Sequence, residues 1–204
     1  MGLGQNKNQF IMRKIIFSLS LFLMAGIVSN AQNFGVKAGL NIANANVKDV
    51  STSSLAGLQF GLVGNFDLSE TIGFNTGLLY SQKGFKRDED KVRINYLEIP
   101  LNLALQHDLG DAKLFAQAGP YIGIGLSAKT KDSDGDEYEW DFGSGEDDDL
   151  KRMDFGLNLG AGVEFNSIQI GANYGIGLSD IDNYDDESIK NGVFTISVTY
   201  LFGK

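Results

Sequence analysis

Apolar and polar residues alternate with a period of two along most of this chain. The clearest case is residues 153–165, MDFGLNLGAGVEF, where every odd-numbered residue is apolar. The positions between them carry Asp154, Asn158, Glu164 and three glycines. A period of two is typical of a β-strand, because successive side chains point to opposite faces of the sheet. No segment after residue 31 holds the 3.6-residue period of a helix, so the pattern predicts an all-β chain.

The same alternation recurs in seven other segments and gives eight predicted strands. One segment is irregular, because its apolar phase slips by one residue at Tyr96–Leu97. Such a slip predicts a β-bulge at that point. The eight predicted strands are residues 34–42, 58–68, 72–84, 92–106, 113–126, 153–165, 168–178 and 193–202.

The connections between these segments alternate between short and long. Three are short turns with the sequences SET, HDLGD and NS, whereas four are longer and polar. An up-and-down meander places alternate connections at opposite ends, so one end has tight turns and the other has long loops. This asymmetry is typical of outer-membrane β-barrels. The predicted long loops are residues 43–56, 85–91, 127–151 and 179–192.

A barrel in lipid explains why the polar face is rich in glycine. The apolar face points out to lipid, and closure pairs every backbone polar group, as a lipid environment requires. Eight strands enclose a lumen just wide enough for side chains to fill, so inward glycines make room for larger neighbours such as Lys37, Tyr121 and Glu164. The sequence therefore predicts an all-β, eight-stranded antiparallel up-and-down transmembrane β-barrel. Aromatic residues near the predicted strand ends would form its girdle: Phe34, Phe66, Tyr174, Tyr200 and Phe202.

The first part of the chain has the features of an export signal. Arg13 and Lys14 precede the apolar run 15–28, and the small residues 29–31 follow it. The apolar run is shorter than the roughly 20 residues that a membrane-spanning helix needs. We therefore predict an N-terminal extension and signal peptide over residues 1–31 and a barrel domain over residues 32–204.

The charge balance argues against nucleic acid as a partner. The formal net charge is −9. Removal of Lys7, Arg13 and Lys14 with the signal would bring it to about −9 − 3 = −12. A nucleic-acid-binding surface needs clustered Lys and Arg instead. The chain has no cysteine, so an exported domain of this sequence must gain its stability from a large core or a closed sheet.

Five segments resemble the PorT-type outer-membrane β-barrel family. They are FGVKAGLNIAN, GFNTGLLYSQKGF, NYLEIPLNLAL, LFAQAGPYIGIGL and GLNLGAGVEF, and the resemblance covers roughly residues 33–203. The most specific piece is YLEIPL, residues 96–101. The resemblance implies an eight-stranded barrel in a Gram-negative outer membrane. The namesake of the family serves protein secretion and the attachment of secreted proteins to the cell surface.

Charged residues at inward positions form the first candidate site. They are mixed in sign, and charges enclosed in a lumen must be paired or they cost several kcal/mol each. We predict an ion-pair network that fills the lumen; the alternative is a narrow proton or ion path, or a gate. A network predicts that Glu98→Gln destabilises the barrel more than it changes conductance. The predicted lumen residues are Lys37, Asp67, Lys83, Glu98, Lys113, Asp154 and Glu164.

The second candidate site is the acidic segment 132–149, DSDGDEYEWDFGSGEDDD. Asp132, Asp134 and Asp136 are candidate calcium ligands, because hard oxygen ligands suit this ion. The glycine falls one place too early for an EF-hand loop. Bound calcium could bridge the loop to lipopolysaccharide phosphates, and the alternative is a solvated acidic loop without metal. No other cofactor is predicted.

Catalysis is not predicted from this sequence. The lone histidine, His107, falls in a short predicted turn, at the opposite end from the long loops. Barrel enzymes need a Ser or Asp nucleophile or base with a His at the loop end.

We therefore predict an outer-membrane barrel with a structural, adhesive or secretion-accessory role. Its predicted partner is outer-membrane lipid, with lipopolysaccharide and secretion-machinery proteins as further candidates. The alternatives are a narrow solute or ion channel and a soluble, lipocalin-like carrier of an apolar ligand.

Overall fold

The computed structural model describes residues 32–47, 51–143, 148–183 and 188–202. The predicted extension and export signal, residues 1–31, lie outside the described residues. In the described ranges no helix is long and apolar enough to cross a membrane. The strands are β1 (Gln32–Val47), β2 (Ser53–Asp67), β3 (Ile72–Arg87), β4 (Asp90–Asp108), β5 (Ala112–Lys131), β6 (Glu137–Trp140), β7 (Met153–Phe165), β8 (Ile168–Gly177) and β9 (Ile189–Leu201).

Eight of these strands close into an antiparallel barrel. Around the barrel the order is β1, β2, β3, β4, β5, β7, β8 and β9. Closure occurs where β9 pairs with β1, from Gly35 opposite Leu201 to Val47 opposite Ile189. The short β6 pairs with the last residues of β5 and is additional to the barrel. The predicted eight-stranded up-and-down barrel is confirmed.

The two faces of the sheet are arranged as predicted for a barrel in lipid. In β7 the outward residues Phe155, Leu157 and Leu159 are 44%, 43% and 53% exposed. The neighbouring inward Asp154 is fully buried and Asn158 nearly so. A water-soluble sheet would bury the apolar set instead.

The apolar outer band has the height that a bilayer requires. On β4 it runs from Leu97 to Leu105. Eight residue steps of about 3.4 Å, tilted by about 40°, give a height of about 20 Å, close to the band of ~25 Å found in outer-membrane barrels. Aromatic rings cluster outside the short-turn end, where the ring centroids of Phe34 and Phe66 lie 6.0 Å apart. Tyr200 and Phe202 form a similar pair at 5.6 Å.

Several strands continue well beyond the apolar band at the end with the longer connections. The predicted loop 85–91 is wrong, because β3 and β4 pair through this segment as far as Arg87 opposite Asp90. Asp88, with φ of 55°, helps to form the two-residue turn between them. The predicted loop 43–56 is also too long, because most of its residues belong to β1 and β2.

The apolar residues of each of these strands point outward within the apolar band and inward in the extension above it. In β1 the inward residue Asn41 is polar and the outward residue Ile42 is apolar. Higher on the same strand, Ala45 and Val47 are buried inside and Asn46 is exposed outside. The upper part of the barrel therefore follows the rule of a water-soluble sheet. These extensions were not predicted, because outward apolar residues were expected along the whole length of each strand.

The same change of side explains the phase slip at Tyr96–Leu97. The side chains of Val92, Ile94, Tyr96 and Glu98 all point inward, so the alternation in β4 is uninterrupted. Above this level the inward set is apolar, and below it the outward set is apolar. The bulge predicted at Tyr96–Leu97 is therefore wrong.

A bulge does occur at this height, but on the neighbouring strand. Asn95 pairs with Ser127, whereas Tyr96 pairs with Gly125, so Leu126 of β5 is the extra residue. The inward set of β5 changes from odd-numbered to even-numbered residues across this bulge.

Inward glycines provide space for aromatic rings from neighbouring strands. A Cβ atom on Gly156 would overlap the ring of Tyr121 and the carbonyl oxygen of Ile176. A Cβ on Gly162 would overlap the ring of Phe115 in the same way. The predicted role of inward glycine is thus confirmed at Tyr121, and Phe115 is a second large residue that the sequence analysis did not identify.

We expect Gly156→Ala to lower the free energy of unfolding by about 1–3 kcal/mol, because the added methyl group overpacks a filled lumen. Urea unfolding in detergent micelles, followed by tyrosine and tryptophan fluorescence, measures the change. Gly175→Ala is the matched control, since its Cβ would lie 3.3 Å from the movable Asn158 side chain and 3.8 Å from the nearest carbonyl oxygen. Equal stability of the two variants would show that the ring of Tyr121 does not depend on Gly156.

Candidate functional site

Three of the predicted lumen residues form one buried ionic cluster: Lys83 of β3, Glu98 of β4 and Asp154 of β7. The Nζ atom of Lys83 lies 2.8 Å from Glu98 Oε2 and 3.1 Å from Asp154 Oδ2. The three side chains are 2%, 7% and 0% exposed. Each is at an inward position, so barrel closure brings them together from distant parts of the chain.

Hydrogen bonds surround the ionic cluster on its other sides. Asn191 Nδ2 donates to Asp154 Oδ2 at 3.0 Å, and Ser179 Oγ donates to Oδ1 at 3.0 Å. The Tyr121 hydroxyl donates to the same carboxylate at 3.3 Å. This set of partners compensates the loss of water around a buried carboxylate.

Two aromatic rings complete the environment of the lysine. Lys83 Nζ lies 4.1 Å from the ring centroid of Tyr121 and 5.1 Å from that of Tyr96. A ring face attracts a cation at such distances. Tyr96 was not among the predicted lumen residues, although it has the same parity as Glu98 in β4 and therefore points to the same side.

An apolar layer closes the barrel above the ionic cluster. It includes residues from the strand extensions and two from the connections, Leu150 and Ile181, both fully buried. The predicted long polar loops thus supply apolar residues to the interior. We call this layer the apolar plug; it consists of Ala45, Val47, Phe85, Val92, Ile94, Tyr96, Ala128, Leu150, Ile181 and Ile189, with Trp140 and Phe142 packed against it.

Asp180 ties the connection between β8 and β9 to the barrel. Its carboxylate accepts hydrogen bonds from the backbone N–H groups of Ile189 at 2.9 Å and Asp182 at 3.1 Å. Partial burial raises the pKa of Asp180, but the backbone donors outweigh it and hold the pKa below its usual value. The stabilising contribution is therefore present above the ordinary Asp pKa and is lost as the pH falls through the lowered one.

A small polar cavity lies below the ionic cluster. Its volume is about 50 Å³, and Lys37 is among its lining residues. The side-chain oxygens of Asn75, Asn102 and Asn173 face it without a protein donor, and such acceptors suit water. Among the described residues Lys37 has no carboxylate oxygen within 4.0 Å, so it points inward as predicted but stands apart from the ion pairs.

The remaining predicted charges lie near the short-turn end. Gln106 bridges two of them, since its Nε2 donates to Asp67 Oδ1 at 3.1 Å and its Oε1 accepts from Lys113 Nζ at 3.1 Å. Gln169 Nε2 donates to Glu164 Oε2 at 2.7 Å. The predicted lumen charges thus occupy separate levels, linked in part by glutamines that the sequence analysis did not include.

The predicted calcium ligands form a turn. Asp132 Oδ1 accepts hydrogen bonds from the backbone N–H groups of Asp134 at 3.0 Å and Asp136 at 2.9 Å. In the described part of the chain, no three His, Asp or Glu side chains are grouped as a metal site would need. Calcium binding at this turn stays a prediction, and calorimetry with millimolar calcium tests it.

The lone histidine stands apart from the ionic cluster. His107 is exposed near the short-turn end of β4, where it pairs with Leu114 of β5. Glu98 and Tyr96 lie towards the other end of the same strand.

Residues 18–183 match the model of a family described as outer membrane protein β-barrel domain. No curated protein matches the chain.

Solved structures that are similar to this chain have low sequence identity to it. The attachment invasion locus protein Ail of Yersinia pestis is 16% identical, with 85% of this chain and 100% of that chain covered and a TM-score of 0.48. Neisserial surface protein A is 14% identical over 82% and 96% of the chains, with a TM-score of 0.48. The N-terminal barrel domain of Pseudomonas aeruginosa OprF is 10% identical over 81% and 97%, with a TM-score of 0.41.

We expect Lys83→Met to lower the free energy of unfolding by about 3–5 kcal/mol, because it leaves two carboxylates buried side by side without a cation. Glu98→Gln should cost less, since Asp154 still pairs with the lysine. The triple variant Lys83→Met, Glu98→Gln, Asp154→Asn is the control and should recover much of the loss. Urea unfolding in micelles gives all three values. A triple variant as unstable as Lys83→Met would mean that lost packing, not unpaired charge, causes the effect.

Proposed function

The chain belongs to the outer membrane protein β-barrel domain family, and on that basis we propose that it is a closed barrel that displays its strand extensions at the cell surface. The barrel lies in the bacterial outer membrane. Its proposed role is structural or adhesive. The observation that carries this proposal is the closure of the lumen by two successive layers at the end with the strand extensions.

The two layers block the lumen in different ways. The apolar plug opposes ions, because a bare charge in such surroundings would lose its hydration without compensation. Below it, the buried ion pairs of Lys83 fill the middle of the lumen. These layers favour a sealed barrel over the alternative of a narrow channel.

The lumen is also unsuited to an apolar ligand. A carrier of the lipocalin type holds its ligand among inward apolar side chains, and it has a polar outer wall. Here the inward side chains below the apolar plug include Asn41, Lys83, Asn102 and Asp154. The outer wall carries the large apolar residues, which fits lipid as the partner.

The extensions supply the displayed surface. Beyond the apolar band, the β3–β4 hairpin ends in a charged turn at Asp88 and Glu89, and β6 adds a short edge strand whose Tyr138 is 58% exposed. Exposed aromatic residues often anchor protein interfaces. Lipopolysaccharide and secretion-machinery proteins are the partners proposed for this end.

A PorT-type, secretion-accessory role is the second candidate. It is supported by the resemblance of YLEIPL, residues 96–101, to that family. In this barrel Tyr96 and Glu98 of the motif point inward to the apolar plug and the ionic cluster, while Leu97 points to lipid. These contacts give the motif a role in barrel packing whether the protein is adhesive or serves secretion.

In planar lipid bilayers, the purified barrel is expected to give no stable openings, because the apolar plug and the ionic cluster block the lumen. Leu150→Ala with Ile181→Ala, combined with Lys83→Met, Glu98→Gln and Asp154→Asn, weakens both layers and is expected to give brief openings. The matched control, Leu103→Ala with Leu105→Ala, changes two apolar residues on the outer wall. Stable openings of uniform size in the unmodified protein would favour the channel.

Cysteine labelling tests the orientation of the barrel. The sequence contains no cysteine, so a reagent that reacts with thiols labels the introduced residue alone. A membrane-impermeant maleimide should label Glu89→Cys on intact cells, since that turn lies beyond the apolar band at the extended end. It should label Asp111→Cys, in a turn at the opposite end, only after permeabilisation. The reverse pattern would place the extensions in the periplasm and contradict surface display.

A further inference from the structure

Basic side chains are concentrated on one outer face of the strand extensions. Lys86 of β3 lies directly opposite Lys91 of β4, which lies opposite Lys131 of β5. One row closer to the membrane, Arg93 lies opposite Lys129. We call this surface the basic face; it consists of Lys86, Lys91, Arg93, Lys129 and Lys131.

These side chains point away from the barrel. Their neighbours along β3 and β4, namely Phe85, Val92 and Ile94, are buried in the apolar plug. Because side chains alternate along a strand, the lysines and the arginine lie on the outer wall. Lys91, Arg93 and Lys131 are exposed, and Lys86 is partly exposed.

Like charges opposite one another across a sheet are unfavourable by themselves. Among the described residues, Lys129 is the one member of the basic face with carboxylate partners, Glu139 at 2.8 Å and Glu137 at 3.7 Å. In the described ranges, the row Lys86, Lys91 and Lys131 has no acidic oxygen within 4.0 Å. Although Glu137 lies opposite Lys131 across the sheet, a row of three lysines with no ion pair in the described ranges of an acidic protein points to an anionic ligand.

The height of the basic face indicates which anion it meets. On β4 the outward residues above Leu97 are Asn95, Arg93 and Lys91 in turn. Arg93 lies four residues beyond the band and Lys91 lies six, about 10 Å and about 16 Å above it for a strand tilted by about 40°. The headgroup zone occupies roughly 5–8 Å on each side of the hydrocarbon, and long basic side chains extend from both rows down towards its phosphates.

We propose that the basic face binds the phosphate groups of outer-leaflet lipopolysaccharide. The side chains of the basic face project from the outer wall, parallel to the membrane plane. The headgroups of neighbouring lipid molecules are therefore the anions nearest to them. A soluble acidic polymer would instead approach from above, where Asp88 and Glu89 lie at the hairpin tip and Glu137 and Glu139 flank the face on β6. This inference rests on the proposed surface orientation of the extensions.

The test is a binding titration of detergent-solubilised barrel with purified lipopolysaccharide, with a dephosphorylated sample and with heparin, followed by native mass spectrometry. The variant Lys91→Gln with Lys131→Gln should bind intact lipopolysaccharide about 25-fold more weakly, because each basic residue near an anionic lipid surface contributes a factor of about 5. The unmodified barrel should bind the dephosphorylated sample at least as weakly.

The matched control is Lys151→Gln with Lys190→Gln, two exposed lysines at the same end but outside the basic face. We expect it to lose no more than about 5-fold. A gel shift on heating shows that each variant is folded. Equal losses in both pairs, indifference to phosphate, or binding of heparin but not of lipid would overturn the proposal. Because the titration is done in micelles, it is independent of the cell-labelling result, which tests orientation alone.

Discussion

The need to pair every backbone polar group in lipid is the constraint on which the rest of this structure depends. No water is available inside a bilayer to hydrogen-bond an open sheet edge, so β9 must return to β1. Closure at eight strands then fixes the width of the lumen. Each inward residue must fit this width, and each inward charge must find its partners there.

The lumen satisfies these demands with small residues and buried pairs. Glycine at positions 156 and 162 gives space to the rings of Tyr121 and Phe115. Lys83 is compensated by two carboxylates and two ring faces. Removing one member of such a group is costly, although replacing the whole group by neutral residues need not be. The polar interior therefore contributes a unique arrangement of the strands more than a large net stability.

Much of this architecture could be predicted from the alternation alone. The eight barrel strands, their lipid-facing set and the inward position of Lys83, Glu98 and Asp154 follow from a period of two. The strand extensions did not follow, because the apolar face changes sides at the membrane boundary. Because of that change, the pattern resembled a bulge at Tyr96, and the strand residues 85–87 and 90–91 resembled a loop.

The partners of the lumen charges could not be predicted for a different reason. Asn191 donates to Asp154, which lies 37 residues away in sequence. Gln106 of β4 links Asp67 of β2, one strand further round the barrel than its neighbour β3, to Lys113 of β5. Such contacts depend on register around the closed barrel, which a single sequence does not specify.

The charged hairpin between β3 and β4 also bears on how the protein enters its membrane. In the proposed orientation, Lys86, Lys91 and the acidic turn between them must cross the hydrocarbon to reach the cell surface. Each Lys or Arg exposed to lipid at the midplane costs about 2–4 kcal/mol. Passage in either direction is therefore slow without assistance, and a barrel that has inserted does not readily retreat. The hairpin thus raises the activation barrier for leaving the membrane. The lifetime of the inserted protein depends on the height of this barrier as well as on its equilibrium stability.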